Sequence, residues 1–377
     1  MLSRPTRFRL CLLGVVAVAL LTLATVSGNE GQFLPHLIIS STIPANGDLN
    51  PYGVAFVPHG FPEGGTIAPG DILVSNFNSN SATNAQGTGT TIIKFTPNGT
   101  VTPSVPAGTT PGNATTFFTS GPIGLTTALG VLKGGFVLVG NLPTSGGAIT
   151  SGASLQIIDG NGNLVGSPIV DGTFLDSPWD LTINDNGDRA QVFVSNVVSA
   201  TVSRLDVTVN PAGVTIQDKT VIATGYGSAL NAAALIVGPT GLAYDKNSDV
   251  LYVASTNDNA IFAIPNAGHR KTPLVKGSLV FSGPPLLGPL ALVFAPNGDL
   301  LAANGDALMP PSSDPTHPSE IVEFTKKGKF VGEFNVDAGQ GGAFGLATSR
   351  EFFFNFAAVN DNTNSIDVFA LPTHSDD

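Results

Sequence analysis

The residues of this chain best placed to do chemistry are a neighbouring pair, Trp179 and Asp180, in the stretch Ser177-Pro178-Trp179-Asp180-Leu181. Trp179 is the only tryptophan among 377 residues. An indole face beside a carboxylate offers a ligand an aromatic platform and one acceptor. The pair would serve structure equally well if the indole packed between sheets and the carboxylate took backbone N–H groups. Asp176 lies just upstream, and Asp48 stands near another turn into a strand; either could join Asp180 around a divalent metal such as calcium. A hard cation of that kind takes about six to eight oxygen ligands, usually several carboxylates. Apart from that metal, no cofactor is evident.

Other candidates are weaker. The five histidines, His36, His59, His269, His317 and His374, have no metal-ligand spacing. Asp245-Lys246-Asn247-Ser248-Asp249 starts like a calcium loop but lacks its glycine and distal glutamate, so it reads as a turn, as does Asp185-Asn186-Gly187-Asp188. No nucleophile elbow, phosphate loop or dinucleotide fingerprint occurs. Asn98 and Asn113 fit a glycosylation acceptor, but Asn98-Gly99 also makes a turn.

The first residues read as an export signal. Arg4, Arg7 and Arg9 precede an apolar run from Leu10 to Ala24, and Val26-Ser27-Gly28 suits cleavage after Gly28. The single cysteine, Cys11, leaves with that segment, so residues 29–377 would form one domain without thiol or disulfide chemistry. Cleavage moves the formal charge from −11 to −14. An acidic chain with scattered Lys and Arg is ill suited to nucleic acid or anionic membrane. The expected product is extracytoplasmic, periplasmic or secreted, monomeric and without a membrane span.

The elements that must position Trp179 and Asp180 repeat along the chain. Gly238 to Gly268 reads as a meander of three antiparallel strands: Gly241–Tyr244, Val250–Ala254 and Ala260–Ile264. Comparable units open near Pro51, Pro122, Pro178, Pro239, Pro289 and Ala343, roughly 50 to 70 residues apart, against about 40 to 50 for one four-stranded blade. In the first unit a fourth strand is expected near Val101 to Val105. The second residue after each opening is Gly53, Gly124, Asp180, Gly241, Ala291 and Gly345, small except for Asp180, as crowding at a central axis requires. Second strands end at Asn76, Asn141, Asn196, Asn304 and Asn360, expected to close Asx turns. The sixth unit lacks a fourth strand, and the spare strand Phe33 to Ile43 would supply it. The fold class is therefore all-β, a six-bladed β-propeller closed by its N-terminal strand.

The stretch GPTGLAYDKNSDVLYVASTNDNAIFAIPNAG resembles an NHL repeat, although Ala260-Ile261 stands where such repeats usually carry Arg-Ile and Ser255 where they usually have Asp. With SPWDLTI and GPLALVFAPNGDLLAANGD, it resembles exported bacterial NHL-type proteins of no assigned activity. The resemblance implies the propeller and no chemistry. Such propellers mostly bind macromolecules, so the expected function is a non-catalytic binding module for an unknown protein or polymer. Its contact surface would be the enlarged loops of units one and five. The alternative is a metal-dependent hydrolase or lactonase centred on Asp180; lactonases on similar propellers carry an early glutamate for which NPYGVAF and GPIGLTT have no counterpart.

Overall fold

Short runs of β-branched and apolar residues between tight polar turns make this chain a string of antiparallel hairpins. The computed structural model describes residues 32–33, 38–80, 86–97, 114–305, 307–308, 321–336 and 341–371, and every regular element among them is a strand. Six inner strands, Leu49–Phe56, Leu125–Leu132, Pro178–Asp185, Pro239–Asp245, Pro289–Phe294 and Ala343–Thr348, contact one another in cyclic order. Each carries its own antiparallel sheet outward. The fold is a six-bladed β-propeller, and its core lies mainly between the faces of successive blades.

Closure works as the spare strand suggested. Ile38–Ser41 pairs antiparallel with Ser365–Phe369, placing Ile38 opposite Val368 and Ser41 opposite Ser365. Beyond the strand, the Thr42 amide and hydroxyl both donate to the Asn364 carbonyl, each at 2.9 Å, and the Asn50 amide donates to Asn364 Oδ1 at 2.7 Å. Upstream, Gln32–Phe33 pairs parallel with Phe330–Asn335 of blade five, so the first strands tie two blades together.

The register corrects three details. The fourth strand of blade one is Thr115–Thr119, paired with Thr91–Phe95; the expected stretch 101–105 lies outside the described residues. In blade two, Leu125 stands opposite Asn141 as Pro51 stands opposite Asn76 and Pro178 opposite Asn196, so that blade opens at Leu125 and not at Pro122. Gly124 turns the chain into the strand at φ 77°, packed against the Leu142 carbonyl, and Thr127 takes the axial slot. One extra residue then precedes Leu129, a bulge wider than in the other blades. The terminal asparagines are structural, but mostly through the chain entering their own blade. Asn76 Nδ2 donates to Thr42 O, Asn141 Nδ2 to Ile123 O, Asn196 Nδ2 to Phe174 O and Asn304 Nδ2 to Pro285 O. The export segment, Cys11, Asn98, Asn113, residues 81–85 and the Met309–Pro318 loop lie outside the described residues.

Deleting the chain through Ile43 should bare the Ser365–Phe369 edge, where buried Ile366 and Val368 meet the closing strand. An unpaired apolar edge recruits another chain. The deletion variant is expected to elute as oligomers and unfold at lower urea than the parent, and size exclusion with a urea titration checks both.

Candidate functional site

One end of the propeller axis is stoppered. In four blades the residue after the opening position, Tyr52, Trp179, Leu290 or Phe344, joins Phe77, Leu142, Val197, Leu235 and Ile236 in one buried cluster. Tyr52 stacks on Phe77 at 4.4 Å and meets Trp179 and Phe344 edge-on at 5.9 and 5.0 Å, so rings from blades one, three and six interlock. Trp179 is fully buried, and its Nε1 has no hydrogen-bond partner among the described residues. The indole is thus shut away from any ligand platform.

The other end is open. A pocket of about 460 Å³ runs along the axis between the downstream halves of all six inner strands, towards a mouth formed by Phe56, Pro58 and Ser349–Glu351. Asp180 is half-buried in its wall. The side chain reaches there because the inner strand bulges between Pro178 and Leu181, where the Asp180 amide leaves the ladder and donates to Ser195 Oγ at 3.0 Å. Its carboxylate accepts the Leu181 amide at 2.8 Å on Oδ1 and the Leu242 amide of the next blade at 3.0 Å on Oδ2. One lone pair on each oxygen remains for a ligand or a proton. Burial pushes the Asp180 pKa up to about 8, against the opposing pull of those two amides. The group therefore changes charge near neutral pH, where an acid–base catalyst must.

The other expected residues do not gather there. Asp48 is buried, and its Oδ2 accepts the amides and hydroxyls of Thr90 and Thr91 at 2.8 to 3.1 Å. Asp176 accepts the hydroxyls of Ser177 and Ser199, each at 2.9 Å. Asp185 and Asp245 close turns on the amides of Gly187 and Asn247. Tyr244 and Glu351, which sequence reasoning passed over, do reach the pocket wall and rim. The Tyr244 hydroxyl donates to Asp249 at 2.9 Å. Burial alone would raise the Asp249 pKa, but His269, the Gly268 amide and this hydroxyl hold it below the usual range. Glu351 Oε2 accepts the His59 amide at 2.7 Å.

These donors do not fit calcium. Among the described residues no three His, Cys, Asp or Glu side chains come together. Both Asp180 oxygens already face the positive ends of amide dipoles, which would repel a cation as they hold the carboxylate.

The raised pKa has a thermodynamic consequence. Between the unfolded value near 4 and about 8, the folded chain holds a proton at Asp180 that the unfolded chain has released. The contribution of this group to stability is full below pH 4 and drains away as pH rises to about 8. Melting temperature should fall by a few degrees between pH 5 and pH 8.5, and Asp180→Asn should flatten that slope in melts recorded across the range.

Comparison with family models gives no match, and neither does comparison with curated proteins. Solved structures do match. A gluconolactonase from Xanthomonas campestris shares 14% identity over 86% of this chain and 87% of its own, with a TM-score of 0.51. A calcium-binding regucalcin from Agrobacterium tumefaciens shares 12% over 88% and 87%, with a TM-score of 0.47. A putative glucose dehydrogenase from Thermus thermophilus shares 11% over 88% and 100%, at 0.48. The expectation of a non-catalytic binding module is corrected on this ground: the solved propellers with this architecture include a gluconolactonase, and the fold has a blind axial pocket with a titratable acid in its wall. Most of the enlarged loop of blade five lies outside the described residues. The chain is a six-bladed propeller of the architecture seen in the gluconolactonase structure.

Proposed function

We propose that this propeller hydrolyses an ester or lactone in its axial pocket, with Asp180 as the proton-transfer group. The observation that carries the reading is the placement of Asp180 in the pocket wall, where burial brings its pKa to about 8. The gluconolactonase of the same fold supports it by analogy. As carboxylate, Asp180 takes a proton from water while the water oxygen bonds to the acyl carbon. The acyl C–O bond then breaks, and the proton passes from Asp180 to the leaving alkoxide oxygen. The net change is addition of one water across one ester bond. No step runs through a metal, because the residues around Asp180 do not make a site for one.

The repeats belong to the same reading: blades of NHL type, exported after cleavage at Gly28 and working as a monomer. The base form is the active one, so kcat/KM on aryl esters and small lactones should rise with pH and level off above about 8. Asp180→Asn should lower kcat/KM by about 100-fold or more and abolish the inflection, while keeping the fold by circular dichroism. A parent and variant with equal rates across pH 6 to 9 would remove Asp180 from the reaction.

A further inference from the structure

Asp180 marks something that the other blades also possess. Its Oδ2 meets the amide of Leu242, so that N–H points out of its own hairpin towards the axis. In an antiparallel ladder such a residue belongs to a non-hydrogen-bonded pair. Leu242 is the first regular position after the bulge, opposite Val253. Val54 opposite Val74, Leu292 opposite Ala302 and Leu346 opposite Ala358 hold the same position after the same bulge, and all line the pocket. Their amides therefore face the axis as Leu242 does.

What differs is the side chain in the slot of the preceding blade. Asp180 of blade three covers the amide of blade four. Gly241, Ala291 and Gly345 occupy that slot before blades five, six and one, with no polar atom to offer. The approach is close: a Cβ on Gly241 would sit 2.4 Å from Leu292 N. Blades six and one lie across the ring from Asp180.

We propose that the axis-facing amides of Leu292, Leu346 and Val54 form an oxyanion-binding set opposite Asp180, recognising the carbonyl oxygen of an ester and the carboxylate that its hydrolysis releases. This rests on the hydrolytic reading for its substrate, but the amide set itself is a property of the backbone. Fixed N–H donors aimed at an oxygen that gains charge stabilise a tetrahedral intermediate without reorganisation. The chemistry divides across the channel: a carboxyl group moves the proton on one side, and backbone dipoles hold the negative oxygen on the other. The small slots thus leave donors open as well as relieving crowding.

Butyrate is the probe, measured by calorimetry and as a competitive inhibitor where turnover is seen. Ala291→Asp would place a carboxylate beside the Leu346 amide as Asp180 stands beside Leu242, at a slot that already carries a Cβ. It should weaken butyrate binding by about tenfold or more. At pH 9, where Asp180 is ionised, Asp180→Ala removes a negative charge and frees two amides, so it should tighten binding by a similar factor whether or not Ala291→Asp folds. Butyrate that does not bind the parent, or binds Asp180→Ala no better than the parent, overturns the amide set. Binding that follows both substitutions in a protein that hydrolyses no ester leaves the amide set standing and removes the hydrolytic reading alone.

Discussion

The structure depends on how six inner strands, each with one edge free of its own sheet, satisfy backbone groups that face a neighbour across a narrow axis. Small hydroxyl side chains do much of this. Ser75 Oγ accepts the Gly53 amide of its own inner strand at 2.9 Å and donates to Thr126 O of the next blade at 2.8 Å. Ser195 repeats the arrangement with the Asp180 amide at 3.0 Å and Thr240 O at 2.7 Å. Thr126 reaches Pro178 O at 2.7 Å, Thr127 reaches Trp179 O, and Thr240 reaches Pro289 O at 3.0 Å. Each bond joins a bulged strand to its neighbour, and a buried carbonyl left without one would cost about 1–3 kcal/mol. The bulges are thus where blade meets blade, and the axial site is built from the same feature.

That constraint also makes the pocket blind. Where the bulges crowd the axis, the side chains just before them have nowhere to go but inward, and Tyr52, Trp179 and Phe344 fill the channel there. Past the bulges the strands diverge enough to leave space, and the axis opens towards Phe56 and Glu351. A ligand of the proposed kind would enter and leave by one mouth, with the aromatic stopper lying behind Asp180. Low local polarity on that side is the physical reason a carboxylate held by two amides still has its pKa raised.

Blade number and closure were legible because both follow from hydrophobic alternation and from a strand too many at one end and too few at the other. The Val-Ser-Asn strand ends were legible as a pattern but not in meaning, since the serine acts on the next blade and the asparagine on the chain entering its own. Blade two misled because Gly121-Pro122-Ile123-Gly124-Leu125 imitates an opening; only the pairing of Leu125 with Asn141 places the strand. Trp179 and Asp180 stood out by residue type, yet their roles separated according to which side of the bulge each occupies. Nothing local in the sequence could say that the partner of Asp180 is the amide of Leu242, because that contact crosses between blades.

An acid in an axial slot is a poor choice if stability alone is considered. Gly or Ala there leaves the neighbouring amide to solvent in the pocket, whereas Asp180 satisfies two amides but must be desolvated to do so. A neutral acceptor such as Asn would satisfy one amide with no charge to bury. What the carboxyl group alone provides is a proton that can leave and return at physiological pH, in a pocket open to solvent at one end. That cost is borne in one blade of six, while the equivalent slots hold Gly53, Thr127, Gly241, Ala291 and Gly345, and it accords with the proton-transfer role proposed for Asp180. The fold supports it because the hydroxyl ring and the stopper hold the bulge of blade three on both sides, through Ser195 and through Trp179.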